Sequence, residues 1–125
     1  MAKHITIISV IIVFLAVAFL VRAEKATELY IPIGQSPGLS GKYTALGKFD
    51  QVDLENRAIT MSDAAGSYTV KVTEGTFIYL DKSEAQLPNT YGSLADCRVG
   101  DKIEVNWEGN ARGKSVEWIK VQNLE

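Results

Sequence analysis

GKFDQVDLENRAITMSDAAGSYTVKVTEGTFIYL, residues 47–80, is a succession of short runs with a turn signal between each. Ile59 and Met61 alternate with Thr60 and Ser62, and Tyr68, Val70 and Val72 alternate with Thr69, Lys71 and Thr73. Period two places one face in a core and leaves the other wet. DLENR (53–57) and DAAGS (63–67) interrupt the runs with turn residues, so neighbouring strands pair as antiparallel hairpins. Residues 64–66 are loose for a two-residue turn, which predicts a longer loop in the second hairpin. Upstream, Tyr43, Ala45, Gly47 and Phe49 share one parity and Val52 takes the other. A bulge near Asp50 and Gln51 reconciles them, with Gly47 easing a sharp bend. A long, bent first strand suits a small barrel that must curl to close.

Further along, TFIYL (76–80) is apolar on both faces, which makes it central or covered. Residues 81–92, DKSEAQLPNTYG, form a polar loop long enough to carry function or motion. SLAD (93–96) opens on an N-cap residue and predicts one helical turn that points Leu94 and Cys97 inward. In KIEVNWE (102–108), Ile103, Val105 and Trp107 alternate with charged or polar residues. GNARGK (109–114) is a hairpin loop, and SVEWIKV (115–121) is the last strand. There Val116 and Trp118 share one parity while Ile119 and Val121 take the other, so the strand is bulged or covered on both sides.

Three meandering strands, a further strand, a helical plug and a closing hairpin point to an all-β protein. The expected architecture is a small OB-like Greek-key barrel of five to six antiparallel strands with one short helical turn, preceded by an N-terminal hydrophobic helix. A six-stranded open sandwich is the alternative. The pattern G-K-F-x-x-V-D-x-x-x-R-x-I-T-M from Gly47 to Met61, then YTVKVT from Tyr68 to Thr73, then S-L-A-D-x-x-V-G-D-K-I-E-V from Ser93 to Val105, resembles a group of bacterial exported OB-like domains of unknown function. The plan is also similar to that of the periplasmic bacterial OB-fold proteins. The resemblance spans residues 42–121 and implies a fold and an exported setting. It implies no catalytic residue, and fold likeness does not settle function.

Residues 5–21 are 17 residues without a charge, after a short basic start. That length lies between the h-region of a signal peptide and a spanning helix. Val21-Arg22-Ala23 is a tolerable cleavage pattern, and cleavage is the preferred reading. The expected organisation is residues 1–23 as signal peptide or membrane anchor, 24–41 as an arm rich in Pro and Gly, and 42–125 as the OB-like domain. The body is then exported, either periplasmic or anchored to the inner membrane. Membrane contact is expected only through residues 5–21, if they are uncleaved.

The arm segment LYIPIGQSPGLSG (29–41) is the most individual stretch. Pro32 and Pro37 favour extended geometry in the residues before them. Pro37-Gly38 reads as the centre of a type II turn. Leu29, Ile31 and Ile33 are expected on one face of a stiff, extended arm. It either covers the barrel's own open edge or bottom, or docks on a partner by adding to a sheet edge or lying in a groove. Tyr30, Ile31, Pro32, Ile33, Pro37 and Gly38 are the residues expected at a partner, with Tyr91 and the 81–92 loop as a second surface.

The chain carries 13 basic and 15 acidic residues; without Lys3 and Arg22 the remainder has 11 against 15, or −4. An acidic body argues against a phosphate backbone as partner, and no nucleic acid is expected. The only histidine, His4, lies in the targeting segment, so residues 24–125 hold no His for a triad or a His-based metal site. A single cysteine, Cys97, forms no internal disulfide and reads as a small buried residue. No enzyme, no cofactor and no resident metal are expected. The function expected is a non-catalytic binding or assembly domain of the bacterial cell envelope that docks a protein partner through the arm. A small-ligand or cation binder using Asp50 with Asp53, or Asp81 with Glu84, is the alternative. Single-stranded nucleic-acid binding ranks below both.

Overall fold

The computed structural model describes residues 26–123. The expected N-terminal helix, the signal peptide or anchor of residues 1–23 and its cleavage point lie outside them. Seven strands build the sheet: β1 (Thr44–Asp53), β2 (Ala58–Asp63), β3 (Gly66–Lys71), β4 (Phe77–Leu80), β5 (Thr90–Tyr91), β6 (Lys102–Trp107) and β7 (Val116–Gln122). Among the described residues the helical segments are short 3-10 turns, such as Glu28–Tyr30, Ser83–Ala85 and Leu94–Asp96. No helix among the described residues is long and apolar enough to cross a membrane.

The β1–β2–β3 meander follows the alternation in the sequence. Ile59, Met61 and Val70 are buried, and their odd–even neighbours are not. The bulge falls where the parity of β1 changes: Phe49 pairs with Met61 and Gln51 with Thr60, leaving Asp50 as the extra residue. Gly47 is required for a reason beyond bending, since a Cβ there would collide with the Ser62 carbonyl oxygen. The second hairpin is tighter than expected. Asp63 pairs with Gly66, so Ala64 and Ala65 alone make the turn. The Asp63 carboxylate accepts the Ala65 N–H at 2.8 Å, and Gly66 takes φ +133°, which together replace a longer loop.

The strand order is β3-β2-β1-β6-β7-β4-β5. This corrects the expectation of five to six antiparallel strands. There are seven, and β4 runs parallel to β7. The alternating run ends at Val72 and resumes at Phe77, so what reads as a meander continuing into TFIYL is a crossing to the far side of the sheet. No ladder joins the edge strands β3 and β5 among the described residues, so the sheet is open rather than a closed barrel. It is also one sheet, not two stacked as a sandwich. One cluster nevertheless unites Val70 of β3 with Ile78 of β4 and Val121 of β7. Strands from both ends of one sheet can share a core only if the sheet curls.

Leu94 and Cys97 plug that core, as the SLAD turn predicts, and the Asp96 carboxylate accepts the Ser93 N–H at 2.8 Å. On β6 and β7 both faces are buried. Ile103, Val105, Ile119 and Val121 face the core, while Glu104, Asn106, Trp118, Lys120 and Gln122 are buried away from it. The parity slip of β7 has both of its anticipated causes. Asn106 pairs with Trp118 and Trp107 with Val116, so Glu117 is bulged out, and the outer face is covered.

Candidate functional site

What covers that outer face is the arm. It is not the extended strand expected. Glu28–Tyr30 is a 3-10 turn, and three tight turns follow. Gln35 N–H bonds to Pro32 O, Leu39 N–H to Ser36 O, and Lys42 N–H to Leu39 O, each at 3.1 Å. Gly34, Gly38 and Gly41 occupy the third position of these turns with φ of +77°, +74° and +78°. The Pro37-Gly38 turn is where the sequence places it. The Pro-Ile-Gly and Leu-Ser-Gly turns repeat the same device and convert an apparent strand into a coil. Leu29, Ile31 and Ile33 therefore do not line one side of an extended strand, which corrects the expected stiff, extended arm.

The coil is fastened by buried polar groups. The Lys120 ammonium, wholly buried, donates to Glu28 Oε2 at 2.7 Å and to the Ile31 carbonyl at 2.9 Å. Ser36 Oγ donates to the same Glu28 oxygen at 2.8 Å. Glu104, opposite Lys120 in the ladder and also wholly buried, accepts from Gly34 N–H at 3.0 Å, Ser40 Oγ at 2.6 Å and Thr44 Oγ1 at 2.8 Å. Alternating charges such as Glu104 and Lys120 ordinarily mark a solvated face. These two are the reverse, because the arm removes their water and supplies donors and acceptors in its place.

Asp81 holds the next turn. Its carboxylate accepts from Ile33 N–H at 2.6 Å and from Ser83 N–H at 2.7 Å. Burial pushes its pKa up, but the Ser83 hydroxyl, Ile33 N–H and Gln122 amide more than offset this and hold it below the usual value. Asn89 clasps arm to loop. Its N–H donates to Leu29 O at 2.7 Å, and its amide donates to Glu28 O at 3.1 Å and Ile31 O at 2.9 Å. The 81–92 loop is thus ordered by the arm it touches.

The residues expected at a partner fall in five places. Ile33 is buried and serves the domain's own packing. Tyr30, 73% exposed, and Pro32 flank the loop, where they and Leu87 line a groove of about 300 Å³. Ile31 and Pro37 flank the other side, with Leu39, and line a groove of about 640 Å³ against the β6–β7 hairpin. Trp107 and Trp118 line that second groove from the sheet. Gly38 is exposed at the turn tip. Tyr91 lies apart from both grooves, in an aromatic row with Phe77, Tyr79 and Trp118 whose ring centres are 5.5–6.3 Å apart.

Sequence reasoning missed Glu28, Glu104, Lys120, Asn89 and Trp118. The Gly34, Gly38 and Gly41 spacing was the available signal, since three turns in a row must lie on something. Of the four carboxylates considered for a cation, Glu84 is exposed and the other three are engaged within the chain. Asp50 accepts from Ser62 Oγ at 3.1 Å, Asp53 from Asn56 N–H at 3.1 Å, and Asp81 faces inward. No group of three or more His, Cys, Asp or Glu able to hold a metal occurs among the described residues. Burial first, then Asp101 and Asp96, push the Cys97 thiol up to about 12. No family model, curated protein or solved structure matches the chain.

Proposed function

We propose that this is a non-catalytic docking domain of the bacterial cell envelope, which binds a protein partner along the outward side of its arm. The observation that carries the reading is the fastening itself. Four buried side chains, Glu28, Asp81, Glu104 and Lys120, hold a 13-residue surface coil in one shape. Such preorganisation lowers the ordering cost of association. It also leaves Tyr30, Pro32, Ile31, Pro37 and Gly38 presented on rigid backbone. The protonated, buried Cys97 and the lack of histidine in residues 24–125 favour binding over catalysis. The apolar run at residues 5–21 favours an envelope location.

An OB-like relationship belongs to the same proposal. In it β3 and β4 are two halves of one kinked strand, β1 pairs with β2 and β6, and β7 lies parallel to the second half. The ladder order supports this.

A photo-crosslinking amino acid placed at Tyr30, at Pro37 and, as a control, at Asn56 tests the docking reading in intact envelopes. One defined protein adduct from Tyr30 or Pro37 and none from Asn56 is expected. No adduct from either arm position, or the same adducts from all three, refutes it. Deleting the arm is the wrong probe, because it strips Lys120 of its arm partners and leaves Glu104 the Thr44 hydroxyl in place of three donors.

A further inference from the structure

We infer that the free edge of β3 pairs with β3 of a second copy of this chain, antiparallel about a two-fold axis at Thr69. This inference does not rest on the docking reading. The arm covers β6 and β7, and β1 and β2 separate them from β3 in the ladder order.

The direction of the backbone groups defines the edge. β3 pairs with β2 in unbroken register, from Asp63 opposite Gly66 to Ala58 opposite Lys71. One residue further, the Val72 N–H donates to the Arg57 carbonyl at 2.8 Å. Hydrogen-bonded pairs alternate along an antiparallel ladder, so Val70, Tyr68 and Gly66 also turn their N–H and C=O groups toward β2. Ser67, Thr69 and Lys71 turn theirs the other way. Those outward groups make no hydrogen bond among the described residues, and all three residues are exposed.

An edge of this kind is a template for further pairing, and it is ordinarily blunted by shortness, Pro, a bulge or charge. β5, at the opposite end of the sheet, is two residues long. β3 is six residues long, with no Pro and no bulge, and its single charge, Lys71, stands at its end.

The occupant follows from register and charge. With Thr69 opposite Thr69 of the second copy, Ser67 faces the second copy's Lys71, and Tyr68 faces its Val70. Every outward N–H and C=O of the three residues is then paired. An apolar pair falls on the core side, and each ammonium meets a hydroxyl rather than a like charge. The neighbouring registers fail. An axis at Tyr68 sets Lys71 against Ala65, whose N–H is already given to the Asp63 carboxylate. An axis at Val70 sets Ser67 against Thr73, whose N–H is already given to Thr76 Oγ1. The short β5 edge gives β3 no second partner strand of comparable length, so the pairing closes at two copies instead of extending as a fibre.

Register-specific disulfides in the full-length protein test this. Ser67→Cys, Thr69→Cys, Lys71→Cys and the double variant Ser67→Cys with Lys71→Cys are oxidised with copper phenanthroline, the buried Cys97 being left in place. Residues directly opposite in a ladder lie within disulfide reach. A disulfide-linked dimer is expected from Thr69→Cys and from the double variant, and not from Ser67→Cys or Lys71→Cys alone. No dimer from Thr69→Cys, or equal yields from all three single variants, overturns the inference. Amide exchange in the unmodified protein gives an independent reading. Exchange at Ser67, Thr69 and Lys71 should slow by about tenfold or more as protein concentration is raised, while Tyr68 and Val70, already bonded to β2, change less. Exchange at the three outward positions that does not depend on concentration, whether fast or slow, overturns the inference as well.

Discussion

Replacing Lys120 by Met removes an ammonium that ties the arm to the sheet. The change keeps most of the stem volume and deletes the 2.7 Å ion pair to Glu28 and the 2.9 Å bond to the Ile31 carbonyl. Among the described residues Glu28 is left buried with only the Ser36 hydroxyl as side-chain donor, and Glu104 loses the positive charge opposite it in the ladder. Removing one partner of a buried pair costs about 3–5 kcal/mol, because the other charge stays desolvated. For a domain of this size that lowers the melting temperature by roughly 15–25 °C. Urea unfolding followed by tryptophan fluorescence measures it. The cause is separable from lost packing by a double-mutant cycle. Lys120→Met with Glu28→Leu removes both charges, and about 2 kcal/mol or more of the loss should return, since an apolar pair replaces a buried ion pair at little cost. A single-mutant loss below about 1 kcal/mol, the scale of an exposed pair, would refute the buried fastening. So would a double mutant no better than the sum of the singles.

The acid limb of stability should carry the mark of Asp81. Its folded pKa lies below the unfolded value of 3.8, so the carboxylate adds stability above about pH 4 that is lost as pH falls through the folded pKa. Asp81→Asn should flatten that limb while lowering stability at pH 7; an unchanged slope argues against the assignment. Cys97, pushed up to about 12 by burial, should react with iodoacetamide at pH 8 on the order of a thousandfold more slowly than a free thiol, recovering in urea. Rapid native labelling would contradict the core plug. Gly47→Ala should cost about 1–3 kcal/mol, since the obstacle is the Ser62 backbone carbonyl. Gly92→Ala meets only the Leu80 side chain, which can turn aside, so the two denaturation midpoints should differ in that order. Asn89→Ala should cost about 2 kcal/mol and speed amide exchange in both the arm and the 81–92 loop, because the side-chain amide donates two bonds to arm carbonyls and accepts one from the Lys82 N–H.

How much of this was legible depends on how local the cause is. Ile59, Met61, Val70 and the Asp50 bulge are readable because burial on one face imposes a period of two on neighbouring residues. The Ser93 turn and the Pro37-Gly38 turn are set by three or four residues each, and they read equally well. The parallel pairing of β4 with β7 joins residues some 40 positions apart, such as Phe77 and Trp118, and nothing in TFIYL names its neighbour. Lys120 and Glu104 mislead for a different reason. An alternating charged residue is the ordinary mark of a wet face, and only the arm, far away in the chain, makes that face dry. The candidate site was half legible: Tyr30, Pro32, Ile31 and Pro37 were singled out, whereas the buried Glu28, Glu104 and Lys120 that fasten them are brought together only with the arm in place.

The Glu28–Lys120 pair closes a loop of 92 residues between the start and the finish of the described chain. Contacts of that span form late, since the loop entropy must be overcome before they contribute. During synthesis from the amino end, Glu28 emerges long before the cation that neutralises it. The β1–β2–β3 meander can assemble early from local hairpins, but the arm has no floor to settle on until β7 arrives. Maturation of the docking surface is therefore coupled to completion of the chain: a product truncated before Lys120 keeps its meander signals and presents no ordered arm.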